Sequence, residues 1–174
     1  MRRQVIVLRH EIPNRKISDK DPGLSPKGIE NARALCQKLS NEDISLVLCS
    51  PLKRARQTAG CFENRVIIKD ELREWEVDKQ YFKKILLTNL QALTGVESLE
   101  QVKARVSVIK RALETEDCKT CILVTHALVS LVLVGVLLEI DVVEIPISLR
   151  LRYGHYGRLV YKQDKWHVVE WNIK

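Results

Sequence analysis

Hydrophobic positions along this chain fall into short apolar runs that alternate with stretches of helical spacing. Gln4–Arg9 is a brief β-branched run, the pattern of a strand buried on both faces. Residues 11–23 are polar and carry Pro13, Pro22 and Gly23, which predicts a loop. Ser25 before Pro26 predicts an N-cap with proline at the first helical position. Ile29, Ala32, Leu35, Cys36 and Leu39 then recur at helical spacing. Ile44–Cys49 reads as a second strand, closed by Ser50-Pro51, another cap followed by proline, with a helix to about Phe62. Val66–Ile68 is a third strand, and Asp70–Asp78 is acidic and irregular. Helices are predicted over Gln80–Leu93 and Ser98–Glu114, the latter opened by Ser98 and Gln101 at capping-box spacing.

The segment Ile122–Ile140 is apolar enough to resemble a membrane span. However, Cys121–Thr125 is β-like, Ala127–Leu138 is helix-like, and His126 between them suits lipid poorly. The expectation is a buried strand, a turn and a buried helix, with no membrane association. Ser148–Tyr153, Gly157–Lys162 and Lys165–Trp171 read as further strands joined by turns. This order implies an α/β fold, a three-layer α/β/α sandwich. Its central sheet would be mostly parallel, with an antiparallel or mixed C-terminal edge.

Composition narrows the picture. The chain has 174 residues with 45% hydrophobic and 29% charged, which predicts one domain over residues 1–174 with an ample core. Disorder is excluded by the same balance. Net charge is +7 and the pI is near 9.2, so the partners expected are anionic. The basic residues are spread out and aromatics are few, so nucleic acid is not expected. The apolar run Val5–Leu8 is too short for a secretion signal, and five cysteines is an odd number. Reduced thiols and a cytoplasmic location are the expectation, with Cys118-x-x-Cys121 read as a structural coincidence.

Open α/β sheets build ligand sites at the carboxyl ends of their strands. Arg9-His10, Ser50 to Arg54 and Thr125-His126 all fall at such ends. Each residue alone reads as ordinary: a hydrogen-bonded histidine, a solvated arginine. Together, two histidines and two arginines would form a cationic pocket suited to a dianionic phosphoryl group.

In that order the motifs resemble the histidine phosphatase superfamily, which includes cofactor-dependent phosphoglycerate mutases. Leu8–Glu11 (LRHE) is similar to its RHG motif, and Leu24–Leu35 to its L-T-x-x-G-x-x-Q-A helix start. Cys49–Ala59 (CSPLKRARQTA) resembles S-P-L-x-R-A-x-Q-T-A, and Glu71–Glu76 (ELREWE) the segment that carries the acid. The segments ESLEQVKARV and ILVTHA follow in the family's order, so the resemblance runs from about Val5 to Leu138. It implies His10 as nucleophile, Arg9 and Arg54 as phosphate ligands, and His126 as the second histidine on the phosphoryl oxygens. It also implies Glu74, rather than Glu71 or Glu76, as proton donor and then base. Arg56 would face elsewhere. No metal and no cofactor are expected, because arginines and histidines supply the charge a cation would otherwise provide.

The implied activity is a phosphatase acting on phosphorylated small molecules or phosphoproteins through a phosphohistidine at His10. The chain ends soon after its last strand, so an open pocket that admits water is expected, favouring hydrolysis over mutase-type transfer. Mutase chemistry and a catalytically weak phosphate-binding relative stay open as alternatives. Two departures bear on this: Glu11 and Ala127 stand where the family has glycine. A carboxylate at position 11 aimed into the pocket would repel phosphate and raise the pKa of His10. Substrate identity would lie in residues 11–23 and 76–94, and oligomeric state is not legible.

Overall fold

The structure is a computed structural model and describes residues 3–15, 20–77, 97–115 and 118–174. Strands β1 (Arg3–Arg9), β2 (Leu46–Cys49), β3 (Val66–Ile68) and β4 (Thr120–Thr125) are parallel to their neighbours, and β5 (Tyr156–Lys162) and β6 (Lys165–Ile173) form an antiparallel edge. The sheet order is β3-β2-β4-β1-β5-β6. Helices α1 (Pro26–Leu39), α2 (Lys53–Ala59), α3 (Leu99–Thr115) and α4 (Ala127–Leu138) cover it.

Alternation along the strands divides the core into two. Val5, Val7, Leu48, Cys121 and Leu123 face α3 and α4, whose Val102, Val106, Ile109 and Leu131 complete that layer. Ile6, Leu8, Val47, Ile122 and Val124 face α1 and α2 through Leu35, Leu39, Ala55 and Ala59. The predicted α/β/α sandwich is therefore observed. Helix α4 is apolar all round because it is enclosed all round. Its far side is covered by Val142, Ile145 and Ile147. The membrane-like stretch divides at His126 as expected, and no described helix is long and apolar enough to cross a membrane.

The caps follow the sequence at two helices. Gly28 N donates to Ser25 Oγ at 3.0 Å, and Ser98 and Gln101 exchange both capping-box bonds at 2.7 and 3.2 Å. At α2 they do not: the helix begins at Lys53 after Leu52, which makes no side-chain cap bond, and ends at Ala59. Asp21 Oδ2 accepts from Lys53 N instead, at 2.8 Å. The predicted helix over Gln80–Leu93 lies outside the described residues.

Three further expectations are corrected. Ile29 is exposed, so α1 packs through Gly28, Ala32, Leu35 and Leu39. Ser148–Tyr153 is not a strand, because the place beside β1 belongs to β5. That segment holds a short turn, Ile147–Leu149, and then crosses the strand ends with Leu151 buried. Leu149 is exposed while Leu151 is buried, so the alternation of apolar and polar residues there does not mark one buried face. The cysteines are not all thiols either. Cys36 of α1 and Cys61 after α2 are joined in a disulfide with Cα atoms 6.0 Å apart, because the two helices pack side by side on one face. Cys49, Cys118 and Cys121 are buried.

Leu123 is fully buried in central β4 and Val168 is exposed on the edge. Leu123→Ala should cost about 2–5 kcal/mol, read as a lower urea midpoint at unchanged slope. Val168→Ala should stay within about 0.5 kcal/mol in the same assay.

Candidate active site

Strand register delivers the site. Arg9 lies opposite Thr125 and Cys49 opposite Val124, so β1, β4 and β2 end at one level. His10 N donates to Thr125 O at 2.9 Å, and Ser50 N to Val124 O at 3.0 Å. These bonds carry the ladder one residue past the strands and hold His10, Ser50 and His126 as neighbours. The His10 and His126 ring centroids are 4.9 Å apart.

His10 is 3% exposed. Its Nδ1 lies 2.7 Å from Glu11 O, which can only accept. Its Nε2 lies 3.2 Å from Arg54 Nε, which can only donate. These two partners leave one assignment: a neutral ring with the proton on Nδ1 and a lone pair on Nε2. Burial holds the ring pKa down at about 3; the Glu11 carbonyl opposes this, and the charges of Arg54, Arg9 and Arg15 reinforce it.

Arg54 sits in the first turn of α2, where Nη1 also pairs with Asp21 Oδ1 at 3.3 Å. Thr58, one turn later, donates its hydroxyl to Arg54 O and accepts from Glu11 N, tying helix to loop. Arg56 is exposed, as its spacing from Arg54 requires. Arg9 donates through Nη1 to Leu151 O at 2.8 Å, and its guanidinium carbon is 3.9 Å from the Tyr153 ring centroid. His126 is fully buried with Nε2 2.7 Å from Ser50 Oγ. The Ser50 hydroxyl also accepts from Leu52 N, and it can donate to His126 Nε2 or accept from it according to the ring's tautomer. Burial, then the charges of His10 and the arginines, hold His126 well below its ordinary value. Arg9 Nε and His126 Nδ1 are buried and have no hydrogen-bond partner among the described residues.

Glu74 stands on an irregular segment fastened from three sides. Thr125 Oγ1 donates to Leu72 O, Arg105 of α3 donates to Glu71 O, and Trp75 Nε1 donates to Glu97 O. Arg105 itself is held by two 2.9 Å bonds to the Glu97 carboxylate. Glu74 Oε1 accepts from Trp75 N at 3.0 Å and from Val129 N, in the first turn of α4, at 3.4 Å. Burial raises its pKa, opposed by those two bonds and by the charges of Arg9 and Arg54. Glu76 is exposed, and the Glu71 carbonyl accepts from Arg105. Of the three acids, Glu74 is the one joined to the segment that carries His126.

Glu11 is 1% exposed and turns away from the cationic groups. Its Oε2 accepts from Ile12 N at 3.0 Å and from Asn31 Nδ2 at 3.4 Å. Its Oε1 fills the space beside Gly154, where a Cβ would fall 1.8 Å away. Gly154 has φ +65, so only glycine meets both the backbone and the packing there. Neither Glu11 nor Ala127 has a positive φ, so the backbone does not demand glycine at either position.

The structure thus gathers Arg9, His10, Arg54, Glu74 and His126 at one end of the sheet. It adds Asp21, Thr58, Tyr153 and Gly154, which sequence reasoning passed over. Thr58 could have been found from its i+4 spacing after Arg54. The others are remote in sequence from what they touch. Among the described residues, no group of three or more His, Cys, Asp or Glu could hold a metal ion.

A sequence model of the histidine phosphatase superfamily (branch 1) matches residues 8–174. No curated protein matches the chain significantly. Solved structures do. A mycobacterial glucosyl-3-phosphoglycerate phosphatase superposes with TM-score 0.83 at 20% identity, covering 100% of both chains. Its complex with inorganic phosphate gives 0.84 at 22%, covering 99% of this chain and 98% of that one. The α-ribazole phosphatase of Shigella flexneri gives 0.78 at 21%, covering 97% and 96%. Identity at this level establishes a shared fold.

The contact between Glu11 and Gly154 is open to a double-mutant cycle. Gly154→Ala should destabilise the protein, since left-handed backbone alone costs about 1–2 kcal/mol and the clash adds to it. Adding Glu11→Ala removes the clash, so thermal denaturation should recover part of that loss. Strict additivity of the two substitutions would show that the side chain and the glycine are not in contact.

Proposed function

The chain belongs to the histidine phosphatase superfamily, and on that premise we propose that it hydrolyses phosphomonoesters through a phosphohistidine at His10. The observation that carries this reading is the state of His10: neutral, with its proton held on Nδ1 by the Glu11 carbonyl and the Nε2 lone pair presented. That is the form of imidazole able to accept a phosphoryl group.

Nε2 attacks phosphorus while the bond to the leaving oxygen breaks. Arg9 and Arg54 bind the equatorial oxygens and neutralise charge that the buried site would otherwise expose. The unpartnered Arg9 Nε is a donor suited to those oxygens, and so is His126 Nδ1 when it carries the ring proton. Glu74, whose burial favours the protonated carboxyl, donates to the departing alkoxide. In the second half Glu74, now ionised, takes a proton from water, and the oxygen attacks phosphorus as the bond to Nε2 breaks. Inorganic phosphate leaves and His10 returns to its starting form. Structural neighbours named as phosphatases favour water over a second sugar or acid hydroxyl as acceptor.

Wild-type protein should hydrolyse p-nitrophenyl phosphate without added metal and form an acid-labile phosphoenzyme. His10→Ala should abolish both, and turnover surviving in that variant would overturn the mechanism. Glu74→Gln should slow alkyl phosphate hydrolysis by about 10²–10⁴-fold. Its first step should suffer less with p-nitrophenyl phosphate, whose leaving phenolate needs no proton. By NMR, His10 should remain neutral far below the ordinary histidine value of about 6.5 and titrate near pH 3. Because Glu74 must begin protonated, alkyl phosphate turnover should fall as pH rises through its raised pKa.

A further inference from the structure

Beside Arg9, on its Tyr153 side, lies a cavity of about 360 Å³ lined by Arg9, Ser148, Arg150, Leu151, Arg152, Tyr153 and Asn172. None of these residues except Arg9 takes part in the chemistry above. The segment from Pro146 to Tyr153 is fixed where it crosses the strand ends. Leu151 is buried, its carbonyl accepts from Arg9, and Arg152 N donates to Asn172 Oδ1 at 3.0 Å. Arg150 donates one bond to Ile147 O, and Arg152 is exposed. Arg15 reaches the same region from the other loop, with Nη2 2.5 Å from the Tyr153 hydroxyl. The Tyr153 ring therefore has the Arg9 guanidinium 3.9 Å and the Arg15 guanidinium 5.9 Å from its centroid.

None of Arg9, Arg15, Arg150 and Arg152 has a carboxylate ion-pair partner among the described residues. Two half-buried arginines elsewhere are paired, Arg105 with Glu97 and Arg158 with Glu42 and Glu170. Like charges gathered around one ring and one concavity repel, and an anion relieves that repulsion. Arg9 and Tyr153 both line this cavity, and the Tyr153 ring centroid is 5.5 Å from that of His10, so the cavity adjoins the phosphoryl site.

We propose that the Arg150–Arg152 cavity is a second anion subsite, and that the substrate is a phosphomonoester whose leaving group carries a further phosphate or carboxylate. This rests on the phosphatase reading for the role of Arg9 and His10. The occupant of the subsite is held by guanidinium contacts from Arg150 and Arg152, with Tyr153 closing one side. It contributes to binding and orientation and leaves the reacting atoms to the other residues.

The test uses phosphonates, which bind without turnover, titrated calorimetrically into the wild-type protein. The three probes are propylphosphonate, its analogue with a second phosphonate at the far end, and its analogue with a terminal carboxylate. At least one dianion-plus-anion probe should bind about tenfold or more tightly than propylphosphonate. The probe that gains identifies the second group as phosphate or carboxylate. Arg152→Gln, at an exposed position, should reduce that gain, and Arg150→Gln/Arg152→Gln should bring the ratio close to one. Equal affinity of all three probes for wild type, or an undiminished ratio in the double variant, overturns the subsite. The phosphatase reading is judged separately, by His10-dependent hydrolysis of p-nitrophenyl phosphate. Arginine-dependent gain without that hydrolysis keeps the subsite and removes the catalysis, and hydrolysis without the gain does the reverse.

Discussion

The parallel register of β1, β4 and β2 is the constraint on which everything else in this protein depends. With β4 between the other two, Arg9 is level with Thr125 and Cys49 with Val124. The chain leaves the ladder at the same height three times, and each departure places a polar residue over the buried strands. A slip of one residue would exchange the two faces of a strand. It would turn Ile122 and Val124 from one apolar layer into the other and send His126 out of line with His10. The core alternation and the site are therefore enforced by the same hydrogen bonds.

Burial then decides what those residues can be. Two imidazoles set among arginines, out of water, are held neutral, and a carboxyl in the same surroundings is pushed towards its protonated form. The site thus stores its positive charge on guanidinium groups, which cannot give it up, and keeps its imidazoles uncharged. Arg54 is partly occupied by Asp21, a half-exposed partner that an incoming phosphoryl group can replace at small cost.

Glu11 illustrates how an apparent defect is absorbed. A carboxylate beside His10 would oppose an anion if it entered the pocket, and its neighbour in sequence gives no direction. Asn31 on α1 and the missing side chain of Gly154 provide that direction, drawing the carboxylate to the opposite side. The carbonyl of Glu11, which any residue would supply, is the part that orients His10.

Period-two apolar runs, the Ser25 and Ser98 caps and the break at His126 were legible because each depends on residues within a turn or a strand of one another. The same holds for Arg9-His10, Arg54 and His126, whose order along the chain carries the family pattern. The motif pointed to Glu74, and its bond from Val129 N, which sets it apart from Glu71 and Glu76, belongs to the tertiary structure. Ser148–Tyr153 misled because alternating residue types do not by themselves report strand pairing: Leu149 is exposed, and β5 held the place beside β1. The Cys36–Cys61 bridge, the Asp21 partner of Arg54 and the Gly154 space for Glu11 were decided by tertiary structure alone. Local pattern sets which elements form and which faces are apolar. Contacts between residues far apart in the chain depend on how those faces are stacked, and that is settled only when the sheet closes its register.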